Sequence, residues 1–234
     1  RVNFVRGNNN ESTSEAANSY GAMILYGMLT GNDEIRDRGI YLHASTAAAY
    51  WQYWNNIDGW QSNNDATLDN FPSGYERITT SIIWGDGAVF STWFSPAFAH
   101  ILGIQGLPSN TLSLHIGQYP DYLADYVSLG LTESSNNKPS GLVPDQWRDI
   151  WWKIWSMTDA DSAFTDYLSL SDYTPEAGET KAHTYYWIKQ WQVLGNMQND
   201  GITADYPSAM VFENQGIKHY VVYNFSDATK TVQF

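Results

Sequence analysis

The 234-residue sequence contains no cysteine, which excludes disulfides, thiolate nucleophiles and cysteine-ligated metals. Basic residues are scarce. Twelve Lys and Arg stand against 25 Asp and Glu, a formal net charge of −13 with a sequence pI near 4.5. They are scattered, so no basic patch can release counterions from nucleic acid or hold an anionic membrane surface. Neither nucleic acid nor membrane is expected as a partner. No run approaches the ~20 apolar residues that span a bilayer, and no signal peptide is visible. The chain opens on Arg1 rather than Met, which reads as a processed or truncated N-terminus. His43, His100, His115, His183 and His219 form no His-x-Glu or His-x-x-x-His pair, so no metal site and no cofactor are expected. Asp58, Asp65 and Asp69 lack calcium-loop spacing and read as solvated loop acids. A Gly-x-Ser-x-Gly elbow and a phosphate-binding loop are also missing.

Aromatic residues, by contrast, are abundant: 11 Trp, 16 Tyr and 9 Phe beside only 16% charged residues. Most of these rings read as core, Trp151, Trp152 and Trp155 among them. Several suit a groove, because flat apolar faces with a polar handle stack well on sugar rings. The length fits one domain, or a domain with a small appendage, and can bury a sizeable core.

Residues 11–31 read as a helix. Ala16, Tyr20, Met23, Ile24, Gly27 and Met28 fall on one side, Asn10 or Ser12 caps it, and Gly31 ends it. A second helix over 33–55 follows a tight Thr30–Asp33 connection, making an αα-hairpin. Residues 56–78 read as a long loop, Thr79–Trp84 as a short strand broken at Gly85-Asp86-Gly87, and 88–107 as partly helical. Further helices are expected at 119–129, 145–157, 159–170 and 180–197, with a loop at 134–144. A β-hairpin is expected over Ala209–Tyr223, with Lys230–Phe234 as a candidate third strand. The pattern is helical hairpins over 1–200 followed by a small β tail over 201–234, without a short-period repeat.

The chemistry concentrates at the start of the first helix. Glu11 and Glu15 are four residues apart, which on a helix places both on one side. Like charges there repel and raise at least one pKa. The positions four residues before and after hold Gly7 and Ser19, so no cation balances the pair, and Arg6 is the nearest positive side chain in sequence. Glu-x-x-x-Glu is common on solvated helices, so spacing alone does not assign a role. Hydrolysis of a glycosidic bond does need an acid to protonate the leaving oxygen and a carboxylate as base or nucleophile. Such a role requires the pair to face a cleft. Trp84 and Asp86, at the glycine-rich break, read as a groove edge, and Tyr20 as a residue near the same cleft.

The run Gly7-Asn8-Asn9-Asn10-Glu11-Ser12-Thr13-Ser14-Glu15-Ala16 resembles the Gly-x-Asn-Gln-Glu-Ser-Ser-Ser-Glu-Ala signature of glycoside hydrolase family 81, the endo-β-1,3-glucanases or laminarinases. Ala22–Met28, Val89–Phe94, Gly103–Pro108 and Thr184–Ile188 resemble further family segments, so the resemblance spans almost the whole chain. It departs at Leu102, where the family usually has His, at His100, where an aromatic is common, and at Asp86-Gly87-Ala88.

The resemblance implies a mainly α fold of (α/α)6 toroid-type helical hairpins, a partial toroid in this chain, with a small β appendage at the C-terminus. It implies endo-acting, inverting hydrolysis of β-1,3-glucan by a secreted, extracellular enzyme. Glu11 and Glu15 would supply the general base and its close partner, with Glu15 favoured as base. Asn10, Tyr20, Trp84, Asp86, Trp93 and Gln105 would contact substrate. The general acid is an Asp in an upstream segment without counterpart in this sequence. The chain thus corresponds to the C-terminal part of a longer enzyme, whose N-terminal segment is a candidate partner. An open part of a toroid exposes apolar faces that a companion segment or self-association covers. Two rival readings stand beside this one: a glucan-binding module that does not cleave, and another (α/α)-toroid glycosidase or lyase. The acidic balance opposes a lyase for acidic sugars.

Overall fold

The first helix starts where a serine satisfies its backbone. A helix leaves its first N–H groups without intrahelical partners, and the Ser12 hydroxyl accepts from the Glu15 amide (3.2 Å) as N-cap of α1, Thr13–Thr30. The helix stops at Gly31 in the left-handed region, φ 68°, a conformation that costs glycine little. Asn32 then caps α2, Asp33–Ala49, by accepting from the Ile35 amide (3.1 Å). α2 continues into a π-helical turn, Tyr50–Trp54. Glycine lets the hairpin close: a Cβ on Gly27 would lie 2.4 Å from the Arg36 nitrogen, and one on Gly39 2.8 Å from the Ile24 nitrogen. The computed structural model describes residues 5–57, 71–72, 74–132, 147–170, 172–199, 201–206, 208–224 and 226–234. The expected loops at 56–78 and 134–144, with Asp58, Asp65 and Asp69, lie largely outside the described residues.

After the hairpin, β1, Ile82–Trp84, pairs antiparallel with β2, Gly87–Val89, in the register Ile82–Val89 and Trp84–Gly87. The partly helical expectation over 88–107 holds after Pro96, whereas its first residues belong to β2. The chain reverses at Gly85-Asp86 and pairs back on β1, and Pro96 keeps the next segment out of a helix. Only α3, Phe98–Gly103, and a 3-10 turn at Ile104–Gly106 are helical there. A second 3-10 turn, Leu114–Gly117, precedes α4, Pro120–Thr132. α5, Arg148–Trp155, α6, Ala160–Ser169, and α7, Lys181–Leu194, complete the helices among the described residues. The fold is thus mainly α, as expected.

The C-terminal sheet has the order β3-β4-β5, with β3 Asn196–Met197, β4 Ala209–Asn214 and β5 Ile217–Val222, all antiparallel. Gln215 and Gly216 both have positive φ, 51° and 80°, the backbone of a tight two-residue hairpin. The third strand is β3 rather than Lys230–Phe234. Gln233 instead accepts at its carbonyl from the Asp205 amide and donates its own amide to the Asp205 carboxylate, and residues 230–234 hold no strand. The Phe212 ring meets Trp191 edge-on at 5.5 Å and ties the sheet to α7.

The main core is aromatic. Tyr50, Trp51, Tyr122, Tyr126, Trp151 and Trp191 are buried together, joined by aliphatics of α3, α4 and α5. Indole N–H groups must find acceptors when buried, and Trp51 donates to the His115 carbonyl (2.9 Å), Trp151 to Ala99 (2.9 Å) and Trp187 to Lys153 (3.0 Å). Trp152 sits in a smaller cluster with Ala163, Tyr173 and Ile188. The α1–α2 hairpin, in contrast, leaves Leu25, Tyr26, Leu29, Ile40 and Tyr41 exposed.

Gly130 on α4 makes room for Trp151: an added Cβ would lie 1.8 Å from its ring. Gly130→Ala is expected to destabilise the fold by about 2 kcal/mol through overpacking. Thermal unfolding should show this as a Tm lower by about 4–8 °C; an unchanged Tm would count against this packing.

Candidate active site

The segment leading to α1 passes beside β1. Asn10 and Ile83 exchange backbone hydrogen bonds (2.8 and 2.9 Å), and Gly85 N–H donates to the Arg6 carbonyl (3.2 Å). Side chains alternate along an extended segment, so Asn9 and Glu11 share a side, and the Asn9 amide donates to Glu11 Oε1 (2.5 Å). The chain turns into α1 only at Thr13. The expectation that both carboxylates ride one helix is thereby corrected: Glu11 precedes the N-cap, whereas Glu15 lies in the first turn. The pairing with Ile83 draws Asn10 and Glu11 into an extended path that the local sequence alone does not reveal.

Beneath the carboxylates lies a buried polar layer. Gln105, 1% exposed, accepts at Oε1 from both the amide and the hydroxyl of Thr13 (3.1 Å each). Its Nε2 donates to the carbonyls of Glu11 (2.5 Å) and Ser81 (3.3 Å). Trp54 Nε1 donates to the same Glu11 carbonyl (3.2 Å). The Ser12 and Ser14 hydroxyls meet at 2.7 Å and converge on the Leu107 carbonyl. His115 lies 3.4 Å from the Thr13 hydroxyl. Burial, with a smaller push from His43, holds its pKa down to about 3, so the ring is neutral at ordinary pH.

Glu15 is the exposed member of the pair and Glu11 is half-buried. The Glu15 pKa is raised, first by the partial burial of its carboxyl in the first turn and second by the charge of Glu11. Among the described residues neither glutamate forms an ion pair. Arg6 is turned elsewhere: it holds Asp86 (2.7 Å) and lies 5.3 Å from the centre of the Trp84 ring.

The other candidates divide. Asn10 is exposed, with its backbone in the bridge to Ile83. Trp84 is half-buried one residue beyond that bridge, on the side of the strand shared by Asn9 and Glu11, and Asp86 is exposed. Tyr20 is half-buried in α1, and at five residues it lies about 140° round the helix from Glu15. Trp93 is 83% exposed, edge-on to Phe94 at 5.5 Å, and no described contact joins it to the glutamates. Gln105 is enclosed by protein, with its amide directed at backbone rather than solvent. Two cavities are formed elsewhere. One of about 800 Å³ lies between the hairpin and the C-terminal segment, touching Ile24, Met28, Ile40, His43, Tyr206 and Lys230. One of about 150 Å³ touches Met197, Met210 and Phe234. Neither includes Glu11 or Glu15. Among the described residues no group of three or more His, Asp or Glu is placed to hold a metal ion.

Asn9, Trp54 and Thr13 were not among the residues singled out from sequence. Asn9 was within reach, because a strand period over 9–11 pairs it with Glu11. Trp54 and Thr13 meet the site only through contacts distant in sequence, which no local pattern carries.

The fold is a mainly α one built of helical hairpins, with two carboxylates at the start of its first helix. The sequence profile of the Glycosyl hydrolase family 81 C-terminal domain matches residues 2–189, and the chain belongs to that family. A glucan endo-1,3-beta-D-glucosidase of Thermobifida fusca is 34% identical over 232 residues, 99% of this chain and 28% of that protein. One of Acetivibrio thermocellus is 35% identical over 231 residues, again 99% and 28%. A solved glycoside hydrolase family 81 structure from Clostridium thermocellum matches with a TM-score of 0.81 and 35% identity, over 98% of this chain and 30% of that one. The chain therefore spans under a third of the length of these relatives.

Glu15→Gln tests the electrostatics. A carboxyl with a raised folded-state pKa lowers stability once pH exceeds its unfolded value, and fully so above the folded one. The variant should be more stable than the parent at pH 7, by no more than about 0.5 kcal/mol for so exposed a group. The difference should vanish at a pH below the ordinary carboxylate range, where Glu15 is protonated. Denaturant melts at the two pH values check this, and a variant less stable at pH 7 would contradict it.

Proposed function

We propose that this chain carries the general-base side of an inverting, endo-acting β-1,3-glucanase site. The observation that carries the reading is the pair itself: two carboxylates without an ion-pair partner among the described residues, with the Glu15 pKa raised. A base with a raised pKa takes a proton from water more readily near neutrality. Glu15 is assigned as base and Glu11, tethered by Asn9, as the group that orients water or substrate. The base removes a proton from water, the resulting hydroxide oxygen bonds to the anomeric carbon, and the glycosidic C–O bond breaks with inversion. The leaving oxygen takes its proton from an acid. Inverting carboxyl pairs stand roughly 6.5–9.5 Å apart to admit that water; the acid is assigned, as the family resemblance implies, to an aspartate of an upstream segment. The length of the relatives leaves ample room for it and for the opposing wall of a cleft. The names of the relatives support the linkage, and their reach over nearly the whole chain supports the transfer.

Trp84, with Asp86 two residues on, is proposed as the nearest glucan contact, with Asn10 and Trp93 as further ones. The apolar face of α1–α2 is proposed to be covered by the remainder of the longer enzyme. A glucan polymer is met outside the cell, so the site is proposed to work there as part of a secreted protein. The glucan-binding module without cleavage remains the rival, favoured by the acid's location outside the chain.

The test is reducing-sugar release from linear β-1,3-glucan, in this chain and in the chain extended to its relatives' full length. Glu15→Gln should lower the rate of the active form by about 10²-fold or more. The acid limb of the pH–rate profile should lie above the ordinary carboxylate range. Glu11→Gln should move that limb to lower pH, because removing a like charge lowers the Glu15 pKa. Unchanged hydrolysis in Glu15→Gln, or retention at the anomeric carbon, would overturn the reading.

A further inference from the structure

The Gln105 side chain has two donor hydrogens and two acceptor lone pairs, and all four are used on the backbone or side chains around the glutamates. The acceptors take the Thr13 amide and hydroxyl. The donors go to the Glu11 and Ser81 carbonyls. Each contact fixes something different. The bond to the Glu11 carbonyl, shared with Trp54, limits rotation of the peptide plane from which the Glu11 side chain springs. The bond from Thr13 N–H satisfies an amide at the very start of α1, two residues before Glu15, which the helix leaves without a partner. The bond to Ser81 ties both to the residue that leads into β1. Gln105 itself is held in the 3-10 turn Ile104–Gly106, itself buried. One enclosed amide therefore spans the segment carrying Glu11 and the helix carrying Glu15.

We infer that Gln105 is a positioning residue: it sets the separation of the Glu11 and Glu15 carboxylates without touching substrate. This rests on the assignment of the pair as the working carboxylates. Two like charges without a cation push each other apart, and here Asn9 and the peptide geometry are what oppose that push at Glu11. With the amide removed, Glu11 gains freedom to swing away from Glu15, and the electrostatic coupling between them falls. A residue that served stability alone would lower the melting temperature and leave that coupling intact in the folded protein.

The experiment is a ¹³C NMR titration of the glutamate carboxyls in the chain as it stands, with and without Glu11→Gln. The quantity read is the drop in the Glu15 pKa that Glu11→Gln causes. In Gln105→Met, which keeps the shape but none of the four bonds, that drop should shrink to about half or less of its parental size. If Gln105→Met does not fold, Gln105→Glu retains the acceptor towards Thr13 and loses the amide donors, and the same reduction is expected. Because the readout is a difference, the added charge at 105 cancels to first order. An undiminished drop in either folded variant overturns the inference, and so does failure of both variants to fold, which would leave Gln105 a residue of stability alone. No glucan enters the titration. Full hydrolysis by Glu11→Gln and Glu15→Gln would overturn the catalytic reading while the titration still decides whether Gln105 sets the pair.

Discussion

A helix cannot begin without leaving its first amides unpaired, and in this protein the partners come from distant parts of the chain. Ser12 takes the Glu15 amide, while Gln105 takes the Thr13 amide from 92 residues away. That second bond makes the start of α1 a tertiary feature. It depends on the 3-10 turn after α3, and through Ser81 on the hairpin β1–β2. Burying so many polar groups costs free energy unless each is paired. The layer of Thr13, Gln105, Ser12, Ser14 and the Leu107 carbonyl is densely paired, and it places the carboxylates above it on a rigid base.

The electrostatics follow from the same arrangement. Arg6, the nearest cation in sequence, is taken by Asp86 and the Trp84 ring. The glutamates consequently face each other without a cation, and the Glu15 pKa is raised by its partial burial first and by the Glu11 charge second. A stable protein without a task for that pair has little reason to hold two like charges uncompensated. Stability is commonly spent at working sites in this way. The neutral His115 under Thr13 adds no positive charge that would relieve it.

The helices were legible where apolar spacing and caps coincide. Asn32 before α2, Asp159 before α6 and Thr180 before α7 all accept from the amide three residues on, and each begins a helix close to its expected start. The hairpin β4–β5 was legible from its turn residues. Within 88–107 the helical part was legible, but β2, three residues long, was not, because its existence depends on β1 across the turn rather than on its own pattern. The start of α1 was misplaced for a related reason: a cross-chain bridge to Ile83 holds residues that have adequate helical character by themselves. At the site, the glutamates and Trp84 were legible from motif and position. Gln105 was found from the motif as a substrate contact, whereas the fold buries it and turns its amide to the backbone, which no local pattern carries.

The claim on which all of this turns is that the start of α1 is fixed from within. Native-state hydrogen exchange at the Thr13 and Asn10 amides tests it most directly, since a helix's first amide and a lone strand bridge normally exchange fast. The account predicts protection of both amides approaching that of Trp151 in the core. Exchange at Thr13 as rapid as in unstructured chain, with Trp151 still protected, would contradict it.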